Sequence, residues 1–113
     1  MIFVTPEYNR SVPGVLKNAL DVGSRPYGHS VWTKKPVAVI SVSPGAIGGF
    51  GANQHLRQTF VFLDMPPLQQ PEAYIGGAAE LFTEEGELKK ADTQKFINTI
   101  LADYAKWVEN LCT

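Results

Sequence analysis

Only one cysteine stands in the 113 residues, Cys112, next to the C-terminus. That excludes an internal disulfide framework and leaves no thiolate cluster for zinc, so a reducing, cytoplasmic setting is expected. Neither sign of charge dominates: ten Lys and Arg stand against eleven Asp and Glu, for a formal net charge of -1. The basic residues are scattered singly or in the pairs Lys34-Lys35 and Lys89-Lys90. Nucleic acid and anionic membranes both reward a concentrated basic patch, and neither is expected as a partner. No apolar run approaches the roughly 20 residues of a membrane span, and the first residues lack the basic flank and cleavage site of a signal peptide. The two histidines, His29 and His55, have no other metal-binding side chain at ligand spacing. No Ser-His-Asp or Cys-His arrangement can be argued, which disfavours hydrolysis by a side-chain nucleophile. There is no internal repeat and no low-complexity run, so residues 1–113 read as one domain, long enough to bury roughly two thirds of the unfolded surface.

What is present is an alternation of apolar runs and amphipathic stripes. Met1-Ile2-Phe3-Val4 reads as a strand, and Val12, Val15, Leu16, Ala19 and Leu20 follow at helical spacing. Ser11 is a candidate cap, Pro13 suits a first turn, and the helix should end near Asp21–Gly23. Val37 to Val42 is continuous Val and Ile rather than alternating, as in a strand covered on both faces. Ala52, Leu56, Phe60 and Leu63 predict a second helix, stopped by Met65-Pro66-Pro67. Glu72-Ala73-Tyr74-Ile75 is a short third strand. After an acidic stretch with a turn at Glu85-Gly86, a last helix capped by Asp92 or Thr93 carries Phe96, Ile97, Ile100, Leu101, Tyr104, Trp107, Val108 and Leu111 on one broad, core-forming face. Strand and helix alternate three times, which predicts right-handed crossovers, a parallel sheet and an α/β class.

Ligands of such sheets bind at the carboxyl ends of the strands. Two loops lie there. In the first, Pro6 stiffens the strand exit, Tyr8 offers a flat ring, and backbone amides beyond Pro6 suit the edge of a planar heterocycle; the same residues also read as an ordinary strand-to-helix turn. The second, Ser43-Pro44-Gly45-Ala46-Ile47-Gly48-Gly49, permits close backbone approach. It lacks the Lys and Ser/Thr of a phosphate-binding P-loop and has no G-x-G-x-x-G. Donation from its amides or from Ser43 to a planar ring is the functional reading, and a plain turn before a helix is the other. Gln54, Arg57 and Glu72 are candidate subunit-interface residues, because the polar side of the second helix is richer in amides than in charge.

The stretch from Phe3 through Thr5-Pro6-Glu7-Tyr8-Asn9-Arg10-Ser11 to Asp21 closely resembles the NADPH-dependent FMN reductases, a flavodoxin-like family that includes quinone, chromate and azo-dye reductases. The likeness continues through Ser43-Pro44-Gly45 with Gly48-Gly49, His55-Leu56-Arg57-Gln58, Phe62-Leu63-Asp64 and Pro71-Glu72-Ala73-Tyr74. It implies a three-layer sandwich and FMN as cofactor. Pro6, Glu7, Tyr8, Asn9 and Arg10, together with Ser43, Pro44, Gly45, Gly48 and Gly49, would contact the isoalloxazine. It also implies NADPH or NADH as hydride donor, a small-molecule electron acceptor, and a homodimer or homotetramer. No side chain is expected to act as catalytic acid or nucleophile, since the flavin carries the chemistry.

The sequence departs from the family in one respect: the opening strand, the Gly-Ser-x-Arg-x-x-Ser-x-Asn phosphate loop and the second strand are not in it. The expectation is a partial domain lacking the first two strands, shortened at the N-terminus, whose first strand becomes an apolar sheet edge. The alternative is a non-catalytic remnant acting as a self-associating module.

Overall fold

The computed structural model describes residues 1–112. Strand β1 (Ile2–Thr5) leads to helix α1 (Gly14–Gly23), strand β2 (Ala38–Val42), helix α2 (Phe50–Leu63), strand β3 (Tyr74–Ile75), a single 3-10 turn at Ala78–Glu80 and the long helix α3 (Ala91–Cys112). The strands are parallel in the order β1-β2-β3. The expected α/β architecture is present, with β2 at the centre and Ala38, Val39, Ile40 and Ser41 all buried.

Successive side chains of a strand point to opposite faces, and each face has acquired its own apolar cover. Phe3, Val37 and Val39 pack against Leu16 and Leu20 of α1 and against Leu56, Phe60 and Leu63 of α2. Ile2, Ile40, Val42 and Ile75 pack on the other side with Ala73 and Ile100 of α3. Helices therefore lie on both faces, which explains why β2 is apolar throughout rather than alternating. On the α1–α2 side the Phe3 ring stacks on Phe60 at 5.6 Å and meets Trp32 at 6.3 Å. Trp32 Nε1 donates to the Leu20 carbonyl at 2.9 Å, which fixes the α1–β2 connection against the end of α1.

Four details differ from the sequence reading. Ser11 does not cap α1: the N-cap is Pro13, whose carbonyl accepts from Leu16 and Lys17, while the Ser11 hydroxyl pairs with His55. Asp92 and Thr93 lie inside α3 rather than ahead of it; Asp92 sits in the first turn, where a carboxylate favours the helix dipole. The third strand is only Tyr74–Ile75, which pair with Ser41 and Val42 of β2, and Glu72 and Ala73 precede it. The apolar face of α3 is only partly covered: Ile100 is buried and Trp107 Nε1 donates to the Pro66 carbonyl, but Phe96, Leu101 and Leu111 are exposed. The turn at Glu85-Gly86 is present, with Gly86 N–H donating to the Thr83 carbonyl.

Phe60 is 1% exposed and joins α2 to β1 through the stack with Phe3. Truncating it removes that contact and leaves a cavity between two layers. Phe60→Ala should lower unfolding stability by about 3–5 kcal/mol in urea denaturation; a loss under about 1 kcal/mol would show that the α1–α2 layer is not the core.

Candidate functional site

Register decides where the two candidate loops lie. Thr5, the last residue of β1, pairs with Ser41, one residue before the end of β2, so the two loops leave the sheet side by side. Both hydroxyls are buried: Thr5 Oγ1 donates to the Pro6 carbonyl at 2.8 Å, and Ser41 Oγ to the Gly48 carbonyl at 2.7 Å. Each hydroxyl steadies the backbone of the loop on its own strand.

In the first loop Tyr8 and Ser11 exchange backbone hydrogen bonds of 3.1 and 3.0 Å, closing a turn with Asn9 at φ 52° and Arg10 at φ 65°. Asn tolerates the left-handed region; Arg there costs roughly 1 kcal/mol and must be held by its surroundings. The Tyr8 ring is 61% exposed. Among the described residues the backbone N–H groups of Glu7, Asn9 and Arg10 have no acceptor. Exposed ring and free donors together make a surface suited to a flat, heteroatom-edged ligand.

Glu7 points the other way. Its side chain is 8% exposed, and Oε2 accepts from the backbone N–H of Ala52 at 3.2 Å, while Oε1 accepts from Arg10 at 3.2 Å. Helix α2 has no cap of its own, since Gly49 at its N-cap has no side chain. Glu7 therefore fills that role from 45 residues away. Burial pushes the carboxyl up, but the Ala52 N–H, the Arg10 guanidinium and the Gly51 N–H outweigh it and hold the group below its ordinary 4.5.

The second loop is fastened from beneath. Asn53, fully buried on α2, donates to Ser41 Oγ and to the Ala73 carbonyl, both at 3.2 Å, while its Oδ1 accepts from Arg57 Nε at 3.0 Å. Gly48 adopts φ 67°, and a Cβ there would lie 2.6 Å from the Tyr74 carbonyl carbon. The loop backbone is thereby pressed onto β3, while Pro44, Gly45 and Ile47 stay exposed. Pro6, Tyr8, Asn9, Arg10, Ser43, Pro44 and Gly45 thus stand at one end of the sheet with Gly48 and Gly49 behind them.

The three candidate interface residues share a different surface. Gln54 donates to the Tyr74 hydroxyl at 2.6 Å, and that hydroxyl donates to Glu72 at 2.6 Å. Arg57 reaches the Leu68 carbonyl at 3.3 Å. The hydrogen bonds from Tyr74 and Gln70 hold Glu72 below its ordinary value; burial and then Glu72 raise Tyr74.

The profile of NADPH-dependent FMN reductases matches residues 1–80. The chain belongs to that family. It is similar to a quinone reductase of Pseudomonas putida, 63% identical over 109 residues that cover 96% of this chain and 58% of that protein. It is similar also to a 2-hydroxy-1,4-benzoquinone reductase of Burkholderia, 48% identical, covering 97% of this chain and 60% of the relative. Among solved structures, FerB, a flavoenzyme NAD(P)H:(acceptor) oxidoreductase from Paracoccus denitrificans, superposes with a TM-score of 0.88 at 39% identity, over 96% of this chain and 60% of FerB. The fold is accordingly flavodoxin-like, and the chain spans 58–60% of the length of these relatives.

Within this family member the sequence reading missed two contacts. Ser11 Oγ and His55 Nδ1 lie 2.8 Å apart across 44 residues, at the head of an outer groove of about 550 Å³ between α1 and α2. His55 Nε2 has no hydrogen-bond partner among the described residues, so no triad is formed and the pair acts as a tie between the first loop and α2. The Glu7 cap is the other. No local signal announces either one, since both join segments that are distant in sequence.

Two measurements check this description. Asn53→Leu leaves Arg57 Nε without its partner and removes the amide bonds to Ser41 Oγ and the Ala73 carbonyl, and should cost about 3 kcal/mol in urea denaturation; a neutral result would remove Asn53 as the fastening of the second loop. For Glu7, a depressed folded value means stability that is complete above pH 4.5 and lost as pH falls through the lowered value. The gap in urea midpoint between wild type and Glu7→Gln should therefore narrow in acid, and a gap constant from about pH 7 to about pH 3 would refute the ionised cap.

Proposed function

We propose that the chain forms the ring-contacting part of an FMN-dependent NAD(P)H oxidoreductase with a quinone-type electron acceptor. The observation that carries this is the pair of adjacent strand ends: an exposed Tyr8 ring and free backbone donors at Glu7, Asn9 and Arg10 beside a glycine-bearing loop held against β3. FMN has the matching chemistry, a flat tricyclic ring with carbonyl and nitrogen atoms along its edge. Tyr8 and the backbone of Asn9 and Arg10 would hold one edge of the ring, and Ser43, Pro44 and Gly45 would border it from the second loop, with Pro6, Gly48 and Gly49 shaping the floor. When bound, the flavin supplies hydride acceptance from NADPH or NADH and electron donation to the acceptor. The chain's own residues bind and orient the ring; none stands as a general acid or nucleophile. The printed activities of the Pseudomonas and Burkholderia relatives support a quinone-type acceptor.

The same reading includes a homodimer or homotetramer working in the cytoplasm, with the network of Gln54, Arg57 and exposed Glu72 turned toward a second copy. That network supports the assignment because its partially exposed polar groups are already fixed in place by internal hydrogen bonds. Among the described residues no helix is long and apolar enough to cross a membrane.

Titration of FMN with the purified chain is the test. Quenching of flavin fluorescence, followed by NADPH oxidation coupled to benzoquinone reduction, is expected, and Tyr8→Ala should weaken FMN binding about ten-fold through the loss of stacking, worth about 1–1.5 kcal/mol. A colourless oligomer that never quenches FMN overturns the enzyme reading in favour of a self-associating module, for which the exposed Val4 on the edge strand β1 would be the apolar contact.

A further inference from the structure

We propose that Glu7 is a positioning residue: its carboxylate clasps the first strand-end loop to the N-terminus of α2 and so sets the spacing between the two loops. Insofar as that spacing serves a flavin, the proposal rests on the function proposed above.

Several independent features converge on the clasp. Helix α2 begins at Gly49–Phe50 with no capping side chain of its own, and the N–H groups of its first turn need acceptors. Glu7 provides one for Ala52 at 3.2 Å and, through the same carboxylate, interacts with Gly51. Its second oxygen holds Arg10 at 3.2 Å, which restrains a residue in the left-handed region. One carboxylate thus joins both sides of the cleft.

Residue 51 is fitted to this contact. A Cβ on Gly51 would overlap the Arg10 carbonyl oxygen and lie 2.9 Å from Glu7 Oε2, so the first loop can press against α2 only where residue 51 has no side chain. The Ser11–His55 bond at 2.8 Å ties the other end of the same loop to the next turn of α2. Loop and helix are held at two points, and the Tyr8–Ser11 turn spans the gap between them. With its side chain 8% exposed and both oxygens engaged, the Glu7 carboxylate is oriented toward the helix and away from the surface that Tyr8 presents.

Amide hydrogen exchange of the flavin-free chain tests the clasp directly. In Glu7→Ala, exchange should accelerate about ten-fold or more both at the Ala52 amide and at the Ser11 amide that closes the turn, with the Ile100 amide of α3 unchanged. Glu7→Gln, which keeps an acceptor for Ala52, should recover part of that protection. Gly51→Ala strikes the clasp from the helix side and should free the Ser11 amide in the same way, which decides the matter if Glu7→Ala does not fold. Faster exchange at Ala52 with Ser11 unmoved in both variants overturns the proposal and leaves Glu7 a cap alone. FMN titration then reads the consequence: a dissociation constant raised about ten-fold in Glu7→Ala is expected, and an unchanged one alongside rapid exchange overturns the positioning role. Wild-type chain that fails to quench FMN overturns the proposed function instead, and the exchange result still judges the clasp.

Discussion

Everything at the carboxyl end of this sheet depends on one pairing, Thr5 with Ser41 in the parallel register of β1 and β2. Because the two strands stop within one residue of each other, both segments turn out of the sheet together, and two buried hydroxyls take up the backbone groups exposed by that exit. A slip of one residue would exchange the two faces of β1, sending Phe3 away from Phe60 and Trp32 and exposing what now stacks. The hydrophobic pattern therefore fixes the register, and the register fixes the site.

Polar groups above that level divide into two supports. Asn53 serves the second loop from inside the protein, joining Ser41, the Ala73 carbonyl and Arg57. Glu7 serves the first loop and α2 together. No buried side-chain nitrogen or oxygen lacks a partner among the described residues, so these supports are complete rather than strained. One electrostatic consequence follows. The positive end of the α2 dipole already faces a carboxylate, so this helix start is a poor place for a phosphate, and the Ser43–Gly49 loop can offer shape and backbone rather than a positive pole. That agrees with the missing Lys and Ser/Thr of a P-loop.

Legibility in the sequence followed the range of the interaction. Continuous Val and Ile announced β2, and the 3- and 4-residue spacing of apolar positions announced α1, α2 and α3, because these patterns record burial directly. Local chemistry misled wherever a distant partner claimed the group. Ser11 looks like a cap and is instead bound to His55; Glu7 carries no local sign that its carboxylate caps a helix 45 residues on. His55 looked isolated for the same reason. The long aromatic stripe of α3 overstated its burial, since a three-stranded sheet is too narrow to cover Phe96, Leu101 and Leu111 along with Ile100.

The outer groove between α1 and α2 and the proposed ligand surface are different places, and the difference bears on mechanism. The 550 Å³ groove between α1 and α2 is outward, lined by Lys17, Asp21, Arg25 and Gln58 as well as Ser11 and His55, whereas the strand-end loops form an open shelf. An enclosed pocket would suit a substrate that must be surrounded while a side chain attacks it. A shelf suits a flat cofactor held by one edge, whose other face stays open first to a nicotinamide and then to an acceptor. Under the proposed function the two partners need the same flavin face at different times, so openness is a requirement of the exchange. The rigidity that such a shelf needs comes from below, from Asn53 and Glu7, which hold the loops without occupying the space above them.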